Sequence, residues 1–237
     1  MVRTRQQSLD LRRSKRGGAR HNAGRKPNGT RAGVSHSQRR PVVKRYPLHV
    51  TLRVVRDIGY LRRRDCYRAV RQAMVTALKS LETFRICQVS IQGTHIHLIV
   101  EAVDRAALSR GMKGFEVSAA RRLNAAVRRR LGTQRRGRVF ADRYHDEELS
   151  SPSQVRNALN YVLNNWRKHG EDRSAPRLQL DPYSSARTFG GFRERPELAS
   201  VPVDDELLPI AYPSSWLLAT GWRKRGTISL RHVPGGR

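Results

Sequence analysis

The chain is 237 residues long and carries 48 Lys and Arg against 19 Asp and Glu, a formal net charge of +29. That length suits one ordinary domain with extensions, and so large a surplus of one sign in a compact body calls for a polyanion to share it. Nucleic acid is the expected partner, because each neutralised phosphate releases counterions. No membrane partner is expected: no apolar run approaches the ~20 residues that span a bilayer, and the polar N-terminus lacks a signal-peptide core.

Cys66 and Cys87 are the only cysteines. Without CxxC spacing they argue against a structural zinc site and against a disulfide scaffold, which fits a reduced cytoplasmic interior. Composition alone suits a ribosomal or histone-like protein as well as an enzyme. It sets the partner and not the reaction.

Residues 1–45 read as a disordered basic arm, with fourteen Lys and Arg against one acid, Asp10. Such a segment buries too little apolar surface to offset its chain entropy. Within it Arg25 and Lys26 stand among glycines in GGARHNAGRKPNG. They suit a narrow minor groove, or belong to a tail that touches phosphates without preference.

From Pro47 the pattern changes. Leu48, Val50, Leu52 and Val54 alternate with polar residues, which predicts a strand with one buried face. A helix follows over 61–81, with Val70, Met74 and Leu78 inward and Arg62, Arg63, Arg64, Arg68, Arg71 and Lys79 outward. The runs FRICQVSI and THIHLIVEA predict two more strands. A second helix spans 105–130, and the basic loop GTQRRGR ends it. RVFADRYHDEEL predicts a fourth strand. Ser150 or Ser151 then caps a third helix, with Pro152 in its first turn and Gly170 at its end. The order β-α-β-β-α-β plus a helix predicts an α+β, ferredoxin-like (split βαβ) antiparallel sheet covered by helices on one face. The expected domains are the arm at 1–45, a catalytic body at 46–170, and an extension of unknown role at 171–237.

His95 and His97 flank Ile96 on the third predicted strand. Side chains two apart on a strand point to the same face, so the two imidazoles form either a metal corner or a polar pair on a solvated sheet face. Tyr161 precedes Asn165 by one turn of the third helix and shares its face. A phenol ionises near pH 10, so it needs cationic neighbours or a polarised phosphate to act as a nucleophile. Its alternative is a place at the edge of the core. His49 and His145 are read as surface or core residues, with ligation as the second option.

Together these residues resemble the REP-associated tyrosine transposases of the HUH single-tyrosine transposase superfamily. GTHIHLIVEA looks like the family's strand with His-hydrophobic-His, RVFADRYHDEEL like its penultimate strand, and VRNALNYVLNNWRKHG like its catalytic helix. The resemblance covers 47–170. It implies that Tyr161 is the nucleophile and that His95 and His97 hold Mg²⁺ or Mn²⁺. Asn165 stands where relatives place an amide ligand, often Gln. Tyr161 would form a 5′-phosphotyrosine on single-stranded or hairpin DNA, and a second 3′-hydroxyl would rejoin the strand. Arg135, Arg136, Arg138 and Lys168 are expected to bind DNA with Arg25 and Lys26.

The resemblance also implies a bacterial, nucleoid-associated location, and it leaves open a homodimer with Tyr161 acting in its own subunit or a partner's. Relatives often have Pro after the Asn pair, where this chain has Trp166, so the helix is expected to run on towards Lys168. Three rivals remain: a non-catalytic RNA-recognition-like module, a domesticated DNA- or RNA-binding descendant, and a structural ribosomal-type protein.

Overall fold

Along β1 (Leu48–Arg53), Leu48, Val50 and Leu52 are buried while His49, Thr51 and Arg53 face the other side. This is the period of two that a half-buried strand requires. The computed structural model describes residues 40–78, 81–173, 175, 178–194 and 206–235. β1 pairs antiparallel with β3 (His95–Ala102) and with β4 (His145–Glu148), and β2 (Phe84–Ile91) pairs antiparallel with β3. The strand order β2-β3-β1-β4 is the ferredoxin-like one, and the fold class read from the sequence stands.

One sheet face is covered by α1 (Arg64–Ala77) and α2 (Arg105–Leu131). Val50, Leu98, Met74, Phe115 and Leu123 lie fully buried in that layer. Asp104 caps α2 by accepting from the Ala107 N–H, and Gly132 ends it at φ +65°, the left-handed value that glycine adopts without strain. Gly111 brings α2 close to β2: a Cβ there would lie 2.2 Å from the Phe84 ring.

The opposite face carries α3 (Pro152–Lys168). Its Val155, Leu159, Val162 and Leu163 pack with Cys87, Ile99, Trp222 and Ile228 in a second apolar cluster. A capping box of Ser151 and Gln154 starts α3, with Pro152 in the first turn, as the sequence predicts. Trp166 leaves the helix unbroken to Lys168, and Gly170 follows at φ +66°.

Three expectations shift. α1 stops at Ala77 rather than 81, and Lys79 and Ser80 lie outside the described residues. The fourth strand is only four residues long, because the chain at 141–144 turns, with Phe140 making one isolated bridge to Val54. Arg62 is not on an outer face. Its guanidinium donates twice to Asp181, at 2.8 and 3.0 Å, and once to the Ile91 carbonyl at 3.1 Å.

The described parts of 171–235 pack on the sheet and on α3. The Ser185 hydroxyl donates to Gln88 at 2.6 Å and accepts from the Val89 N–H. The Ala211 N–H donates to the Ile86 carbonyl at 2.9 Å. The buried Glu101 carboxylate accepts from the N–H groups of Ser214 and Ser215 and from the Ser214 hydroxyl at 2.7–2.9 Å. α4 (Trp216–Ala219) follows directly. Among the described residues no helix is long and apolar enough to cross a membrane.

Candidate active site

The strand register sets His145, Thr51, His97 and Ser90 in one row across β4, β1, β3 and β2. Cross-strand partners share a face, so the row lies on the side away from α1 and α2, with His49 and His95 beside it. The alternation that buries Leu48 and Val50 is thus what turns these polar side chains towards α3.

His97 is buried, and its Nδ1 lies 3.2 Å from the Thr51 hydroxyl and 3.3 Å from His49 Nε2. With Nδ1 engaged, Nε2 is the nitrogen left for another partner. The rings of His95 and His97 stack 6.1 Å apart, and His95 Nδ1 meets the Thr94 hydroxyl at 2.8 Å. Burial, followed by the charges of His49, His95, His169 and Lys168, pushes the His97 pKa down to about 3. Burial and then His145 push His49 down to about 4. Burial, then Arg53 and His169, lower that of His95. All three shifts favour the uncharged ring, the form that ligates metals and accepts protons.

Tyr161 reaches this group from α3. Its ring stands edge-on to His97 at 5.2 Å and to His49 at 5.7 Å, and Lys168 Nζ lies 5.5 Å from its centroid. The helical spacing that puts Lys168 two turns beyond Tyr161 supplies the cation. Asn165 is fully buried, and neither its amide nitrogen nor its oxygen has a hydrogen-bond partner. Its neighbour Asn164 is bound to Asn160 and to the Ser229 carbonyl. A buried amide with both atoms unpaired costs several kcal/mol in sum, at about 1–3 kcal/mol for each group, and such an orphan marks a place for a ligand.

The donor set therefore fits a divalent cation: neutral imidazoles at His95 and His97, and an unpartnered carboxamide at Asn165. Among the described residues no three His, Cys, Asp or Glu side chains cluster as a metal site, so the amide and water would have to complete the shell.

The other expected residues fall in different places. Arg135 donates to Asn124 and to the Arg138 carbonyl, and Arg138 donates to the carbonyls of Phe140 and Ala141. Both guanidiniums brace the loop before β4, while Arg136 is exposed. Arg25 and Lys26 lie outside the described residues. Sequence reasoning missed Thr51 and His169, and read His49 as surface or core although it contacts both His97 and Tyr161. His49 and Thr51 sit at the polar positions of the β1 alternation, a signal that singles out neither without the register to β3.

No curated protein matches the chain. Among solved structures, a REP-associated tyrosine transposase bound to a REP hairpin is similar over 65% of this chain and 84% of its own length, at 16% identity and a TM-score of 0.43. A bacterial tRNA(His) guanylyltransferase (Thg1)-like protein in complex with GTP is similar over 58% and 69%, at 13% identity and a TM-score of 0.38. The family model described as "Transposase IS200 like" matches residues 42–165. That stretch is more than half the chain and runs from just before β1 to Asn165, and the chain belongs to the IS200-like transposases.

Proposed function

We propose that this protein cleaves and rejoins single-stranded or hairpin DNA by transesterification at Tyr161. The observation that carries the reading is the edge-on approach of Tyr161 to His97 and His49, with Lys168 over the phenol ring. A core tyrosine has no need of that company.

The Tyr161 oxygen attacks the scissile phosphorus, and the bond to the 3′-oxygen breaks. The products are a 5′-phosphotyrosine and a 3′-hydroxyl, which takes up a proton in exchange for the one the phenol lost. Attack by another 3′-hydroxyl reverses the step and frees Tyr161, so the ester's free energy is kept and no ATP is needed. Lys168 stabilises the phenolate that forms, since an adjacent cation favours the charged state. Thr51 and His49 hold His97 in one ring orientation. Mg²⁺ or Mn²⁺, held by His95, His97 and Asn165, would neutralise charge on the phosphate oxygens when bound. Imidazole donors suit Mn²⁺ better than Mg²⁺.

Residues 46–170 form the catalytic part in this reading, and the basic arm at 1–45, with Arg25 and Lys26, adds salt-sensitive DNA affinity. Labelled DNA hairpins from the flanks of the gene, incubated with Mg²⁺ or Mn²⁺ and run on denaturing gels, test it. A covalent adduct that requires the metal, Tyr161 and His97 is expected, and Tyr161→Phe and His97→Ala abolish it. Tight binding with no adduct in either metal would mark a non-catalytic descendant.

A further inference from the structure

A second concavity is lined mostly by residues beyond the stretch that matches the transposase family, with Gln88 and Leu159 from within that stretch. A cavity of about 620 Å³ opens between the extended run 207–213 and three short helical turns, at 185–188, 216–219 and 221–225. Phe189, Leu208, Ile210 and Trp222 line its apolar wall, and Gln88, Thr188 and Arg223 contribute polar groups. Among the described residues that line it there is no acidic side chain. This size and mixture are typical of small-ligand sites.

At the rim stands Tyr212, 93% exposed. The backbone on both sides is held: the Ala211 N–H donates to the Ile86 carbonyl, and Glu101 binds the N–H groups of Ser214 and Ser215. A fixed main chain thus presents a free aromatic face to solvent. Nearby in sequence, Trp216 is 54% exposed, with Lys224 Nζ 5.0 Å from its ring centroid. Arg223, Lys224 and Arg225 follow one another on the turn that closes the cavity.

We infer that this cavity and its rim bind an unstacked base of single-stranded DNA. The base would stack on Tyr212, and the basic run would meet the flanking phosphates. Open aromatic faces beside a cationic groove are how proteins hold single strands, and the consecutive cations Arg223, Lys224 and Arg225, the first of which lines the same cavity as Tyr212, favour a polyanion over a neutral peptide. A duplex, whose bases remain stacked, has none to offer. The inference rests on the single-stranded substrate proposed above and adds a contact that the cleavage chemistry does not require.

The test is equilibrium binding of the full chain in EDTA, followed by anisotropy of labelled single-stranded and duplex oligonucleotides. Tyr212→Ala is expected to weaken single-strand binding about tenfold, as loss of one stacked base does. Duplex binding should change less than about twofold, and Tyr212→Phe should stay near wild type because the ring remains. Gly190→Leu is the second variant: Gly190 lines the cavity, and a Cβ there meets no atom within 4 Å. The added side chain takes up cavity space from a Cβ that clashes with nothing, and single-strand affinity should fall by a similar factor.

Single-strand binding at wild-type strength in both Tyr212→Ala and Gly190→Leu would overturn the inference. So would a homodimer in sedimentation that Gly190→Leu dissolves, because the occupant would then be a second copy of the chain. If the Tyr161 adduct forms while the Tyr212 variants bind normally, only this inference fails. If Tyr212-dependent binding is seen with no adduct, only the cleavage reading fails.

Discussion

His49 Nε2 lies 3.3 Å from His97 Nδ1, and the Thr51 hydroxyl lies 3.2 Å from the same nitrogen. Two groups from β1 therefore converge on one ring atom of β3, and each leaves His97 Nε2 free. Partners of this kind orient a ligating histidine, and their loss typically reduces metal affinity or activity about 10–100-fold. Thr51→Val keeps the shape and removes the hydroxyl. It is expected to lower the rate of adduct formation about tenfold, with part of the loss recovered at higher Mn²⁺. A titration of adduct yield against Mn²⁺ reads this directly, and an unchanged curve would exclude the role given to Thr51.

Asn165 separates stability from function. Both polar atoms of its side chain are buried and have no hydrogen-bond partner in the protein. Asn165→Leu, similar in size, removes that desolvation cost and is expected to raise the stability of the metal-free protein by about 1 kcal/mol. The same change should lower metal-supported adduct formation at least tenfold. Denaturant unfolding in EDTA and gel assays on the same preparation measure the two effects. A variant that is both less stable and fully active contradicts the assignment.

Arg62 and Asp181 form a buried, two-pronged ion pair, with side chains 5% and 0% exposed. Burial raises the Asp181 pKa, and Arg62 opposes that rise. Removing only the cation leaves a carboxyl with no compensating charge, and Arg62→Met should destabilise the fold by about 3–5 kcal/mol. Because Asp181 lies beyond the family-matched stretch 42–165, the loss would also show that the C-terminal region is part of the folding unit. Urea unfolding midpoints decide the matter.

The histidine group makes stability depend on pH. His49 and His97 titrate at about 4 and about 3 in the folded protein, chiefly through burial, against about 6.5 when unfolded. The unfolded chain binds the extra protons first, so stability is complete above pH ~6.5 and falls as pH drops through 6.5 towards 4. His49→Gln removes one of these groups. In EDTA its unfolding free energy should decline less steeply between pH 6.5 and 4.5 than that of wild type. Parallel curves would argue against a neutral, buried His49.

Gly111 tests the packing of α2 on β2. A Cβ would lie 2.2–2.7 Å from three atoms of the fully buried Phe84 ring. Gly111→Ala should therefore destabilise by about 1–3 kcal/mol, despite the better helix propensity of alanine. A double change with Phe84→Leu should recover part of the loss, and calorimetry of the two variants checks both claims.

Much of the fold was legible because its signals are local. The alternation at 48–54, the capping residue Ser151, and the apolar stripe of α3 each act within a few residues, and each element stands where they put it. The pairing of His95 with His97 and the shared face of Tyr161 and Asn165 follow from the same two periods. The fourth strand is shorter than its run for a local reason as well: the chain ahead of it, braced by Arg138, bends before His145, and propensity yields to such context.

By itself, then, the amino-acid order determined the strand and helix sequence, the basic character, and which residues could share a face. Tertiary structure alone decided what those faces meet. Cross-strand register placed Thr51 and His49 on His97, helix docking brought Tyr161 to the histidines, and chain return drew Asp181 onto Arg62 and Glu101 under Ser214 and Ser215. Periodicity records the direction a side chain points within its own element. It holds no information on which distant element lies in that direction, because that is settled by burying the most apolar surface at once across the whole chain.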